Sequence, residues 1–477
     1  MKMQAIPECA MLTKEQKELV HRNVTRILSQ TGMRVLHPEA GELLREAGCG
    51  VRAGDVYTIP PEIVERCVSG APSRITICNR CGEPCMELGG EEAYFGTGSD
   101  LIYFIDSRTM ERRPCVLEDA RNAARLADAL DQMDFIMSFA YPSDEEPHRA
   151  FLMTFRAMLE NSVKPIVCTS HNTRDLKAMW EIASVIRGGA ARLAAAPYII
   201  HYTEPTSPLT HSFESLAKLL FCAEHRIPLV YSPAPLAGAT APVTVAGHVS
   251  QGLAECLCGL VVHQLKTPGA PFIMGMGPAV MDMATAQSSY NAPEYYLAYM
   301  AALDMSKFYG LPSWGYAGTT DSQVPDGQAV MEASVLTLLS CLWRAGLNHD
   351  VGYHDFGLAG SFEMVVIMDE VISMSRRFSG GFPMGEEELA AGPIAEVGPG
   401  GNYLVHPHTL AHFRTAQWRP ELLNRSGHDR WKQDGGKSLL DRAHEKVEIL
   451  LSDHMVESLP AATLSKIAEI TADFDGS

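Results

Sequence analysis

From residue 93 onward the chain repeats one phrase eight times: a short apolar run, then a helical segment. The runs are 93–97, 135–140, 165–170, 198–203, 229–233, 272–277, 312–317 and 347–352. Helical segments follow them in turn at 117–130, 148–159, 174–186, 212–225, 245–265, 293–308, 328–344 and 362–377. Runs that are apolar on both faces and joined by helices predict a parallel sheet covered on each side. Eight such units predict an α/β fold of the closed (β/α)8 TIM barrel kind over an open doubly wound sheet. An open sheet that binds a dinucleotide carries a glycine-rich turn from its first strand into a helix. Here Gly96-Thr-Gly98-Ser-Asp100 lacks the third glycine and leads into an alternating 101–113 segment that reads as a hairpin.

The flanks read differently. Residues 1–92 are expected as a helical N-terminal cap. Thr13 caps a helix over 14–31 that ends at Gly32, 38–47 forms a second, Pro60-Pro61 opens a third, and 76–88 reads as a hairpin. Residues 379–477, bounded by Gly380-Gly381, are expected as a helical C-terminal region packing on the 93–378 barrel, with helices at 437–453 and 460–473.

The 477 residues, 46% hydrophobic and 20% charged, suffice for a large core. A formal charge of -18 sets aside nucleic acid and anionic membrane as main partners. The N-terminal stretch has no continuous apolar core of the signal-peptide kind. The longest apolar stretch, around Val261, is interrupted by His263, Gln264 and Lys266, so no membrane span and a cytoplasmic location are expected. The 12 cysteines are scattered and expected to be reduced and mostly buried.

In a TIM barrel the polar residues released at the strand ends carry the chemistry. The 312–317 run opens into Gly318-Thr-Thr-Asp321-Ser-Gln323, then breaks at Pro325-Asp326-Gly327. The other run ends add Asp100, Tyr141, Ser170, His201, Tyr202, Glu204, His349, Tyr353, His354 and Phe356 to the same mouth, with Tyr94 from the first run. Lys164 stands at the wrong end of its run and no other lysine stands near a strand end, which argues against a Schiff-base aldolase. An aromatic and acidic mouth suits a cation. A quaternary ammonium has no N–H to donate and is held by ring faces, at roughly 0.5–2 kcal/mol per contact, and by nearby carboxylates. Any one of these residues reads as readily as core packing or a solvated loop position. Their convergence on one face brings the cation site level with that reading.

Cys78, Cys81 and Cys85 have the spacing of a metal knuckle but no evident fourth ligand, so chance spacing is the stronger reading. His408 and His412 share a helix face, where capping and packing outweigh metal binding. No metal and no tightly bound cofactor are expected. A metal-dependent barrel hydrolase or lyase using Asp321 and Glu204, and a non-catalytic quaternary-amine binder, stay open as alternatives.

Three stretches carry a resemblance: Gly318-Thr-Thr-Asp-Ser-Gln-Val-Pro-Asp-Gly-Gln328, Gly398-Pro-Gly-Gly-Asn-Tyr-Leu-Val-His-Pro-His-Thr-Leu410 and Trp418-Arg-Pro-Glu-Leu422. Together they resemble the trimethylamine methyltransferase family over nearly the whole chain. The resemblance implies a barrel enzyme that passes a methyl group to the Co(I) centre of a separate corrinoid protein, its partner. The archaeal trimethylamine enzymes carry pyrrolysine where this chain has Gln323, so it looks like the non-pyrrolysine branch, which acts on quaternary amines such as glycine betaine, proline betaine or carnitine. On that reading Gln323, Glu204 and Asp321 are the candidate catalytic residues. Tyr94, Tyr141, Tyr353 and Phe356 are candidate cage rings. His201, His349 and His354 are candidates for the carboxylate that a betaine carries. The C-terminal helices and the 101–113 hairpin are the expected docking rim for the corrinoid protein. A homo-oligomer is expected from the long apolar helix at 245–265.

Overall fold

The computed structural model describes residues 4–476. Seven short strands and one bridged segment form its centre: β1 (Tyr94–Thr97), β2 (135–140), β3 (Ile166–Cys168), β4 (Ile199–Thr203), β5 (Leu229–Tyr231), β6 (Phe272–Met274), β7 (Trp314–Tyr316) and β8 (Leu347–Val351). Strands β3 to β6 pair in chain order, all parallel. In the same sense β7 pairs with β8, and β8 with β1. Parallel bridges close the ring, from Met274 to Ser313, Gly96 to Phe135 and Ile136 to Ile166. The result is the expected eight-membered barrel, with no free sheet edge.

The helices follow as expected: α1 (Leu117–Ala129), α2 (Ala150–Asn161), α3 (Thr173–Arg187), α4 (Phe213–His225), α5 (Val245–Lys266), α6 (Pro293–Tyr309), α7 (Gly327–Trp343) and α8 (Phe362–Ser379). Strand alternation sorts the side chains into two cores. Phe135, Met137, Val167, Ile200, Val230, Ile273 and Trp314 fill the barrel. Ile136, Ile166, Cys168, Ile199, Leu229, Phe272 and Met274 face the helices.

The N-terminal unit is more than helical. Its first helix, Lys14–Arg26, starts at a capping box between Thr13 and Gln16 and ends, after a π turn, at Gly32 with φ +84. Helices Pro38–Glu46 and Pro61–Gly70 follow. Met33–Val35, before the second helix, and Gly50–Ala53 and Val56–Thr58, after it, form a small sheet, extended by Thr210–His211 from the β4–α4 loop. These strands are too short to show a period in the sequence. The hairpin Ile75–Cys78 with Pro84–Leu88 plugs the foot of the barrel: Ile77, Met86 and Leu88 join the interior core.

Helix α5 corrects an expectation. It is a 22-residue helix, long and apolar enough to cross a membrane by length and composition. It packs instead between α4 and α6 with the N-terminal helices laid over its outer side. That cover explains why it is apolar all round, and it leaves no bare α5 face to argue for an oligomer. The C-terminal helices Leu439–Asp453 and Ala461–Gly476 pack along α8 and α1 and along α3 respectively. They lie on the flank of the barrel. The hairpin Tyr103–Asp106 with Glu111–Pro114 does stand at the mouth, paired with Ala359–Gly360 of the loop after β8 and tied to Asp355 by Arg112 at 2.9 Å.

Candidate active site

The mouth of the barrel holds a cavity of about 470 Å³. Its floor is aromatic. The Trp314 and His349 ring centroids lie 4.4 Å apart, Tyr316 and His349 4.9 Å, and Tyr202 and Trp314 5.6 Å. Above them Tyr290, Tyr295 and Tyr353 line the wall together with Phe151. The Tyr353 hydroxyl is engaged with the backbone of Ser99, so its ring is fixed against the cavity. Gly98 permits this approach, because a Cβ there would collide with the Tyr353 ring.

Four carboxylates line the same space: Asp100, Glu204, Glu214 and Asp350. The Tyr202 hydroxyl donates to Glu204 Oε2 at 3.1 Å. Glu204 is open to the cavity but enclosed by protein walls, and that burial pushes its carboxyl above the usual range. Burial does the same to Asp100, which accepts from Ser138 Oγ at 2.8 Å.

Asp350 owes its place to a β-bulge. The pairing of β8 with β1 shifts register between Asn348 and Val351, and Asp350 has φ +76. The bulge turns two consecutive side chains, His349 and Asp350, toward the cavity. A left-handed non-glycine residue costs of order 1 kcal/mol and such sites cluster where function requires them. Asp350 is 3% exposed, and its Oδ1 has no hydrogen-bond partner. The nearest polar contact is His349 Nδ1 at 2.7 Å, in a geometry that makes no hydrogen bond.

Glu204, His349 and Tyr353 thus reach the cavity as the sequence predicts. Others do not. Tyr94 sits at the foot of β1, where its hydroxyl accepts from the Glu87 N–H at 3.0 Å. His201 shares the outward parity of Ile199 and meets Cys168 Sγ at 3.8 Å among the helices; burial holds it well below its usual pKa. His354 is buried against Ser361 Oγ at 3.0 Å and is pushed down to about 4. Tyr141 stands one layer out, edge-on to Phe151 at 5.6 Å. Phe356 lies in a tight turn with φ +56, and only its neighbour Gly357 lines the cavity.

The 318–328 stretch supports the cavity from behind. The Asp321 carboxylate accepts from Ser289 Oγ at 2.5 Å and from the N–H groups of Tyr290 at 2.9 Å and Asn291 at 3.3 Å. It is a positioning residue for the loop that carries Tyr290. Gln323 is exposed at the rim, its amide folded back onto the carbonyl of Asp321 at 2.9 Å. Asp326 caps α7 by accepting from Ala329 N at 3.0 Å.

Sequence reasoning missed Lys218. It comes from the second turn of α4, not from a strand end, and it lines the cavity with its Nζ donating to the Ser170 carbonyl at 2.8 Å. Among the described residues no three His, Cys, Asp or Glu side chains gather as metal ligands would. Burial raises the Cys78, Cys81 and Cys85 thiols, Cys85 to about 12. A second, apolar hollow at residues 5–7 and 374–382 carries Arg377 as its one charged group among the described residues.

The family model for trimethylamine methyltransferase matches residues 1–473. Over 468 residues the chain is 30% identical to trimethylamine methyltransferase MttB of Desulfitobacterium hafniense, covering 97% of this chain and 94% of that protein. It is 29% identical over 475 residues to a glycine betaine methyltransferase of the same species, covering 98% of each. The crystal structure of the Methanosarcina barkeri monomethylamine methyltransferase covers 94% of this chain and is itself covered to 96%, at 12% identity and a TM-score of 0.49. A family match that runs almost from end to end fixes the assignment: the chain belongs to the trimethylamine methyltransferase family.

Proposed function

We propose that the protein moves a methyl group from a quaternary amine of the betaine kind to the Co(I) centre of a corrinoid held by a partner protein. The observation that carries this reading is the pairing of a tyrosine-walled cavity with Asp350, a buried carboxylate whose Oδ1 makes no hydrogen bond. A quaternary ammonium supplies what that pairing lacks: a positive charge with no hydrogen to donate. The likeness to a glycine betaine methyltransferase supports the same substrate class.

Gln323 supports a quaternary over a tertiary amine. A methyl group leaves nitrogen easily only when the nitrogen is already cationic, because the C–N bonding pair then departs on a neutral amine. The carbonyl carbon of an amide is too weak an electrophile to make a tertiary amine cationic. With a quaternary substrate no proton has to move. The acceptor supplies the electron pair that forms the new bond to the methyl carbon.

The chain's own residues hold and aim. The rings of Tyr202, Tyr316 and Tyr290 take the ammonium face-on, Asp350 and Glu204 balance its charge, and the packed wall keeps water away from the methyl group. The hairpin at 103–114 borders the mouth where the partner must approach.

The test is a product analysis. Incubation with glycine betaine, proline betaine or carnitine should release the singly demethylated amine only when a Co(I) acceptor is present. Demethylation without any acceptor, or none from any betaine with candidate corrinoid proteins added, would overturn the reading.

A further inference from the structure

We propose that Lys218 and Ser170 form an anion-binding nook that makes the site select zwitterionic quaternary amines over plain cations. This rests on the quaternary-amine reading and specifies which amines the site accepts.

The cavity carries one group that a simple cation would not want. Lys218 is the one lysine or arginine among the described residues that line it. A plain cation would share the space with a like charge. Burial already disfavours the charged form of this amine, and the carboxylates of Glu214, Glu204 and Asp175 act to retain it. An ammonium has three hydrogens to donate. Lys218 places one on the Ser170 carbonyl oxygen at 2.8 Å.

Ser170 supplies the second observation. It is 7% exposed, it lines the same cavity, and its Oγ has no hydrogen-bond partner. A buried hydroxyl left unpaired is destabilising, because it has given up water without gaining a partner. An acceptor atom placed beside Lys218 would satisfy this hydroxyl and the ammonium together.

Topology sets this donor pair across the cavity from Asp350. In a ring of eight the farthest strand from β8 is β4, and Lys218 comes from the helix that follows β4. Ser170 follows β3, three places round from β8. One side of the cavity therefore presents a carboxylate oxygen that makes no hydrogen bond, and the far side presents the cavity's one ammonium beside an unpaired hydroxyl. A small molecule with a quaternary nitrogen and a carboxylate completes both at once. A cavity of about 470 Å³ accommodates an amino-acid-sized betaine.

The test is calorimetric binding to the full-length protein, with glycine betaine, proline betaine and carnitine set against choline, which carries a hydroxyl where glycine betaine has its carboxylate. The wild type should bind at least one betaine roughly tenfold or more tightly than choline. Lys218→Met should weaken that betaine by roughly ten- to a hundredfold and leave choline unchanged or tighter. Lys218→Arg should restore part of the loss, and Ser170→Ala should weaken the betaine alone. Wild-type protein that binds choline as tightly as every betaine, or a folded Lys218→Met that keeps the preference, overturns the nook and leaves the proposed function standing. Wild-type protein that binds none of the four overturns the quaternary-amine reading itself.

Discussion

The Asp321 carboxylate accepts the backbone N–H of Tyr290 at 2.9 Å, and so a residue outside the cavity sets the position of a ring inside it. Asp321→Ala should free the 288–292 loop and lower kcat/KM by about a hundredfold, the scale at which small misplacements cost an oriented reaction. Tyr290→Phe keeps the ring and should retain most activity. Steady-state methyl transfer checks both. Full activity in Asp321→Ala would mean that the loop holds itself.

Asp350→Asn keeps the shape, and asparagine tolerates φ +76. The variant should fold normally and bind its quaternary amine at least about tenfold more weakly, because the negative charge facing the ammonium is lost. Isothermal titration gives the answer. Unchanged affinity would shift the burden of the cation to Glu204 and the rings.

Glu204 should reveal a conflict between stability and function. Its carboxyl is raised by burial, so the folded state holds a proton that the unfolded chain has already released. Stability therefore falls as pH rises from the ordinary carboxylate range through the folded value. Glu204→Gln should melt at the same temperature as the wild type or higher at pH 8, while binding substrate less well. A lower midpoint at pH 8 would show that the ionised carboxylate stabilises the empty fold.

Four buried histidines predict acid sensitivity of the opposite sign. Burial pushes His211 and His263 down to about 3, His354 to about 4, and His201 well below its usual range. Below about pH 6.5 the unfolded chain takes up protons that the folded chain refuses, at about 1.4 kcal/mol per pH unit for each imidazole. Stability present above pH 6.5 is lost as pH falls. Thermal midpoints should drop between pH 7 and pH 5, and a flat profile would contradict this.

The barrel was legible because each run is apolar on both faces and each helix is long. The same feature hid the site. With both strand faces apolar, alternation does not say whether Tyr94 or His201 points in or out, and neither reaches the cavity. The bulge that turns Asp350 toward the cavity lies between Asn348 and Val351, where no glycine marks it in the sequence. Lys218 was missed because it reaches the mouth from a helix turn, and Tyr290 because a loop carries it. Glu204 and Tyr353 reach the cavity because they closely follow strands, where the fold itself directs them, and His349 reaches it because the bulge turns it inward.

The most direct test of the central claim follows methyl transfer by absorbance. Purified protein is mixed with Ti(III)-reduced cob(I)alamin or a Co(I) corrinoid protein, and with glycine betaine, proline betaine, carnitine or trimethylamine in turn. Formation of the methylated corrinoid with at least one betaine, and none with trimethylamine, is the predicted result. Transfer from trimethylamine alone would contradict the account.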